Sequence, residues 1–288
     1  MKTLWRSAIS STILTAAILA AFVHPAPAQN LPSGAPVLLG TTGACDSAVQ
    51  GGPCTEKSTL VQVDPRSGAL VATIGPVGFT VNGLAWDVTS NKLYATTAVG
   101  DVVFHGLITI NPATGEGTPV DPNLVNFGLP PDPQFGESPI HSITIDSAGN
   151  MVGWYNKFPP PVGVTDTFVQ IDKATGVATA FDNTGISTRT NGLAFAKHNF
   201  LWNINPGTAF LLDPANGKPV ATKTLSPPRP AALGDFDPVG NQYYGLNFVP
   251  GTPTAFLVVV DVKKGSVITV GQTVDDLHTL AFIKHLSQ

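Results

Sequence analysis

Charge is scarce in this chain: 12% of its 288 residues are charged, with 15 basic side chains against 19 acidic ones. Such a chain has no basic surface to gather phosphates, so nucleic acid is not expected as a partner. Glycine and proline together number 55, below the roughly one quarter of a chain that accompanies low-complexity disorder. A hydrophobic content of 43% is ample for a core, which excludes disordered, collagen-like and coiled-coil readings. The sequence also lacks a Gly-x-Ser-x-Gly elbow, a P-loop, a dinucleotide glycine fingerprint and a His-Glu-x-x-His pair. Those absences argue against the standard serine hydrolase, nucleotide-binding and metalloprotease chemistries. Beyond the first 28 residues no apolar run is long enough to span a membrane.

The first 28 residues read as a signal peptide. Lys2 and Arg6 precede the apolar run from Thr12 to Val23, and Ala26-Pro27-Ala28 presents small residues at the positions a signal peptidase reads. Cleavage after Ala28 leaves residues 29–288 as a single domain, secreted or periplasmic, with no transmembrane segment. The only two cysteines, Cys45 and Cys54, lie in this exported part, where oxidising conditions allow a disulfide. They are expected to pin a surface loop; a metal or redox site would call for nearby histidines and a two-residue spacing.

One unit recurs five times: an apolar strand, then Asp or Asn, three residues, and Gly. The copies are Asp64 to Gly68, Asn111 to Gly115, Asp172 to Gly176, Asp213 to Gly217 and Asp261 to Gly265. Each has the chemistry of a hairpin turn. The Asx side chain accepts hydrogen bonds from the turn's own N–H groups, and Gly takes the left-handed position. A second unit keeps step with the first: Asn82-Gly-Leu-Ala-Trp86, His141-Ser-Ile-Thr-Ile145, Asn191-Gly-Leu-Ala-Phe195, Ala232-Leu-Gly-Asp-Phe236 and His278-Thr-Leu-Ala-Phe282. Further strands are predicted at Lys92 to Thr97, Met151 to Tyr155, Phe200 to Asn203 and Gln242 to Leu246, and a fourth strand after each Asx turn.

Four short antiparallel strands at a period near fifty residues are the signature of propeller blades. The prediction is an all-β, five-bladed β-propeller with four-stranded antiparallel blades. The N-terminal segment Pro36 to Thr41 begins with the second strand of blade one. Leu277 to Ile283 is a first strand without a blade of its own, so the C-terminal strand should complete the N-terminal blade.

The alternation of Ile-Asp-Pro-x-Thr-Gly-like turns with Asn-Gly-Leu-Ala-x-Asp strands resembles the exported bacterial β-propeller repeat family over nearly all of the mature chain. That resemblance implies a fold and a place for a site, not an activity; it covers lyases, lactonases and binding proteins. It puts the innermost strands around a central channel, with ligands at the mouth formed by their leading ends. Those positions carry Asn82, His141, Asn191, Ala232 and His278, so one blade offers no polar group there. The preceding loops add Glu137, Arg189, Arg229 and Asp276. Similarity to gluconolactonase-like propellers would imply a calcium site of Glu, Asn, Asn and Asp on six blades; this chain has five repeats and histidine at two ring positions. The aromatics Trp86, Phe195, Phe236 and Phe282 share one repeat position and are expected to pack between blades.

Such a mouth has three possible uses. Asn82, His141, Asn191, His278, Arg189 and Arg229 could hold a small polar ligand or a protein partner without chemistry, the favoured reading in the absence of a catalytic motif. His141 or His278 could instead serve as general acid or base in a lactonase-like hydrolase or a lyase. A divalent metal is the cofactor that His141 and His278 could take, with Glu137 or Asp276 as the carboxylate.

Overall fold

The computed structural model describes residues 36–43, 57–97, 106–124, 126–130, 140–155, 165–181, 183–188, 192–228, 232–249 and 252–284. Cys45, Cys54 and the first 28 residues lie outside them. The fold is a five-bladed β-propeller. Blade one contains β1 (Pro36–Thr41), β2 (Thr59–Val63), β3 (Leu70–Pro76) and, from the other end of the chain, β20 (Thr279–Lys284). Blade two is β4 (Val81–Asp87), β5 (Lys92–Thr97), β6 (Leu107–Ile110) and β7 (Gly117–Pro119); blade three is β8 (Ser142–Ile145), β9 (Met151–Tyr155), β10 (Thr167–Ile171) and β11 (Ala178–Phe181). Blade four is β12 (Gly192–Phe195), β13 (Leu201–Asn205), β14 (Thr208–Leu212) and β15 (Pro219–Thr224). Blade five is β16 (Ala232–Phe236), β17 (Tyr243–Phe248), β18 (Ala255–Asp261) and β19 (Ser266–Gln272).

Each blade is a four-stranded antiparallel sheet, and blade one has the order β20-β1-β2-β3. β20 pairs with β1 along its full length, from Pro36 opposite Lys284 to Thr41 opposite Thr279. The C-terminal strand therefore closes the ring as the repeat order requires. Burial grades outward from the axis. The second strands β5 and β9 are almost wholly buried, whereas the outermost strands β3 and β15 have no buried residue and range from half-buried to exposed. That gradient follows from stacking sheets side by side, because only the inner strands are covered on both faces.

The five Asx turns connect the third and fourth strands of every blade, and they share one hydrogen-bond pattern. The Asx Oδ1 accepts from the N–H two residues on, at 2.8 to 3.0 Å, in all five copies. The turn glycine donates its N–H back to the Asx carbonyl at 2.7 to 2.8 Å. These glycines sit at φ between 71° and 84°, where a side chain is strained. They also touch the preceding blade. A Cβ on Gly115 would lie 2.5 Å from the carbonyl oxygen of Gly75 in blade one, and one on Gly217 would lie 2.4 Å from Cβ of Phe168 in blade three. The recurrent glycine thus satisfies a turn and a blade-to-blade contact at once.

A buried ion pair adds to the contact between blades two and three. Asp87, at the end of β4, is fully buried and bonded to the Lys173 ammonium from the Asx turn of blade three. Burial works to raise its pKa. Lys173, Ser90 and Thr89 outweigh that effect and hold the carboxyl well below the usual carboxylate range.

Two outcomes are expected. Truncation before Leu277 removes the closing strand and exposes the inner edge of β1, so soluble monomeric protein should be lost on expression and size-exclusion chromatography. Gly217→Ala should cost about 3 kcal/mol in denaturant unfolding, from left-handed strain together with overpacking against Phe168.

Candidate functional site

The innermost strands β4, β8, β12, β16 and β20 pack against one another in a closed ring around the axis. Each is the edge strand of its sheet, so alternate backbone N–H and C=O groups face the channel with no strand to pair with. Side chains of the neighbouring blade take up several of them. Ser142 Oγ accepts from the N–H of Leu193 at 3.2 Å, Thr144 Oγ1 from that of Phe195 at 3.1 Å, and Asp235 Oδ2 from that of Phe282 at 2.9 Å.

At the leading ends of the strands, three of the ring residues named from the sequence fall on consecutive blades: His278 before β20, Asn82 in β4 and His141 before β8. Asn82 is the extra residue of a β-bulge, since Val81 pairs with Thr97 and Gly83 with Thr96. A bulge of this kind re-aims a side chain without ending the strand. His278 Nε2 and Asn82 Oδ1 lie 3.0 Å apart, which joins blades one and two at the mouth. The His278 backbone is fixed by its N–H donating to the Thr41 carbonyl at 2.8 Å, and its ring lies near that of Phe248, with centroids 6.1 Å apart. Withdrawal from bulk water lowers its pKa to about 4, so the imidazole is neutral at neutral pH. With a carboxamide oxygen as partner, the proton resides on Nε2 and Nδ1 carries a lone pair. His141 is half-buried and stacks on Tyr155, with centroids 6.4 Å apart and planes inclined by 23°.

The other residues named from the sequence do not join this group. Asp276 is exposed at φ 57° and lines a separate surface depression with Lys57, Thr59 and Asp275. Glu137, Arg189, Asn191 and Arg229 lie outside the described residues. Among the described residues, no three His, Cys, Asp or Glu side chains come together closely enough to hold a metal ion.

Blade five adds a group that the sequence reading did not name. Its ring position is Ala232, but three residues further on Asp235 brings a carboxylate to the channel. The strand is irregular there: Ala232 pairs with Leu246 and Asp235 with Tyr244, Leu233 has φ 50°, and Gly234 donates its N–H to the Tyr243 hydroxyl at 2.8 Å. A Cβ on Gly234 would lie 1.8 Å from the Tyr244 carbonyl oxygen, so only glycine fits. Asp235 opens into a cavity of about 120 Å³ in the half of the channel away from the mouth, lined by the trailing ends of the inner strands. Trp86, Phe195, Phe236 and Phe282 line it too, so these aromatics serve the channel as well as the packing between blades. Burial pushes the Asp235 carboxyl up to about 6, against the pull of the Phe282 and Phe236 N–H groups, and Asp237 adds to the rise. The signal for this residue was in the sequence: Gly234-Asp235 stands where three other repeats read Leu-Ala.

No protein-family model matches the chain, and no curated protein matches it. Solved structures similar to it include a gluconolactonase from Xanthomonas campestris, 15% identical, with 85% of this chain and 78% of that chain covered and a TM-score of 0.45. A protein of unknown function from Bacteroides caccae is 12% identical, with 86% and 99% covered and a TM-score of 0.42. The hydrazine synthase of Kuenenia stuttgartiensis is 10% identical, with 72% and 50% covered and a TM-score of 0.42. The propeller assignment rests on this chain's own strand order, and none of these likenesses carries an activity to it.

Opposed titrations follow from the two shifted groups. His278, lowered from 6.5 to about 4, withdraws stability as pH falls through that window, because the unfolded chain binds the proton first. Asp235, raised from 3.8 to about 6, returns stability as pH falls through its own window, because the folded chain binds the proton first. Between pH 6 and 4 the two slopes oppose each other. In thermal melts across that range, Asp235→Asn should lose Tm more steeply on acidification than wild type, and His278→Gln less steeply. Parallel profiles for all three proteins would contradict these shifts.

Proposed function

We propose that this chain is exported by its first 28 residues and acts as a binding propeller that takes a small, uncharged polar ligand at the mouth of its channel. The observation that carries this reading is the hydrogen bond between His278 and Asn82, which joins two inner strands at the mouth. It presents a neutral imidazole beside a carboxamide and the half-buried ring of Phe248. Such groups donate and accept hydrogen bonds without imposing a charge, which suits hydroxyl, amide or lactone oxygens better than ions. The low basicity of His278 supports binding over proton transfer, since a general base works best with a pKa near the operating pH.

The test is calorimetric titration of the mature protein with a panel of polyols, sugars and sugar lactones. A ligand should bind saturably, and Asn82→Ala or His278→Ala should weaken it roughly tenfold, as expected for about 1.5 kcal/mol of lost hydrogen bonding. Consumption of a panel compound at a rate that depends on His278 would replace this reading with an enzymatic one. Divalent-ion stabilisation that disappears in the His141→Ala/His278→Ala double variant would make the mouth a metal site.

A further inference from the structure

The half of the channel away from the mouth is built from different chemistry. Four aromatic side chains, Trp86, Phe195, Phe236 and Phe282, and the carboxylate of Asp235 line one cavity of about 120 Å³. Engineered apolar cavities of about 150 Å³ hold a molecule such as benzene, so the space suits a small organic group.

The molecule contains its own control for Asp235. Thr144 occupies the same repeat position in blade three as Asp235 does in blade five. Each accepts a hydrogen bond from the N–H of the aromatic residue on the next inner strand, Phe195 for Thr144 and Phe282 for Asp235. A neutral hydroxyl is therefore sufficient for the bridge. Ala85, Ala194 and Ala281 fill the position in the other blades, so the propeller tolerates a small apolar residue there as well. Asp235 adds a full negative charge that the bridge does not require. A bulge that only Gly234 can form holds that charge against the cavity.

The Asp235 carboxylate favours positive charge in the cavity, and an aromatic ring adds to that attraction for a cation lying over its face within about 6 Å of the centroid. The rest of the wall includes the aliphatic side chains of Leu84, Val88, Ile143 and Ile145, which suit methyl groups. The one basic residue lining the cavity among the described residues is Lys284. It is exposed and lies three residues beyond Ala281, the position level with Asp235, or about 10 Å along the strand. No ion pair joins it to Asp235 among the described residues, so it stands at the rim and leaves the carboxylate to a ligand.

We propose that this cavity is a second binding site, specific for a small alkylammonium ion whose charge faces Asp235 and whose methyl groups lie against the aromatic rings. It is distinct from the mouth in position and in the charge it selects.

Calorimetric titration with tetramethylammonium chloride tests the proposal, with sodium chloride at equal ionic strength and tert-butanol as the uncharged isostere. Tetramethylammonium should bind saturably and tert-butanol should bind at least roughly tenfold more weakly, because it lacks the charge the site selects. Asp235→Thr copies the residue that makes the same bridge in blade three and removes the charge; it should abolish saturable binding, as should Asp235→Asn. Trp86→Leu should weaken binding several-fold, and His278→Ala, at the mouth, should leave it unchanged. Equal binding of tert-butanol, or wild-type affinity in a folded Asp235→Thr, overturns the proposal. Loss in His278→Ala with Asp235→Thr unaffected places the cation at the mouth and also overturns it. If both Asp235 variants fail to fold, the wild-type titration decides alone, and no saturable binding of tetramethylammonium overturns it.

Discussion

Every blade of this propeller ends, at the axis, in a strand edge that has no strand to pair with. Five such edges face one another across a narrow channel, and their backbone groups need partners where bulk water is restricted. The chain meets that constraint by sending side chains across from blade to blade. Ser142, Thr144 and Asp235 each accept an N–H from the next inner strand, and Asn82 and His278 meet at the top of the ring. The polar groups of the channel are thus first of all structural partners. Any binding they perform is built on positions the fold already had to fill.

That origin explains why the two halves of the channel differ. At the mouth the strands begin, loops join them, and the neutral imidazole of His278 lies beside the Asn82 carboxamide and Phe248, with His141 stacked on Tyr155. Deeper in, the repeat position that packs blades together supplies aromatic rings, and one blade supplies a carboxylate in place of alanine or threonine. One pore therefore offers an uncharged polar environment at one end and an anionic aromatic one at the other. The net negative charge of the whole chain adds only a diffuse field to this local arrangement.

The architecture could be read from the sequence because its turns repeat a chemical rule. Asp or Asn, then glycine four residues on, specifies both a hydrogen-bonded turn and a close approach between blades, and that double demand keeps the pattern visible in all five copies. The mouth was legible through the same register: Asn82, His141 and His278 stand where the repeat places them, and two of them meet. Asp235 was not named, because only the leading position of each inner strand was read as facing the channel, and Asp235 stands three residues further on, where the other blades carry alanine or threonine. At Asn82 a bulge re-aims the side chain of the leading position itself. What no single sequence reveals is which loops from different blades lie near these groups, since that depends on contacts far apart in the chain.

The pairing of β1 with β20 also bears on how the protein comes into being. Leu38 lies opposite Phe282, so the strand made first among those described must wait for the one made last. Contacts this distant along a chain form slowly, because a large loop has to close before they give any return. Blades two to five can each assemble from neighbouring residues, but blade one stays open until synthesis has passed Lys284. A nascent chain therefore carries an unsealed seam until that segment has been made, and the closed ring is a state that only a chain including β20 can reach.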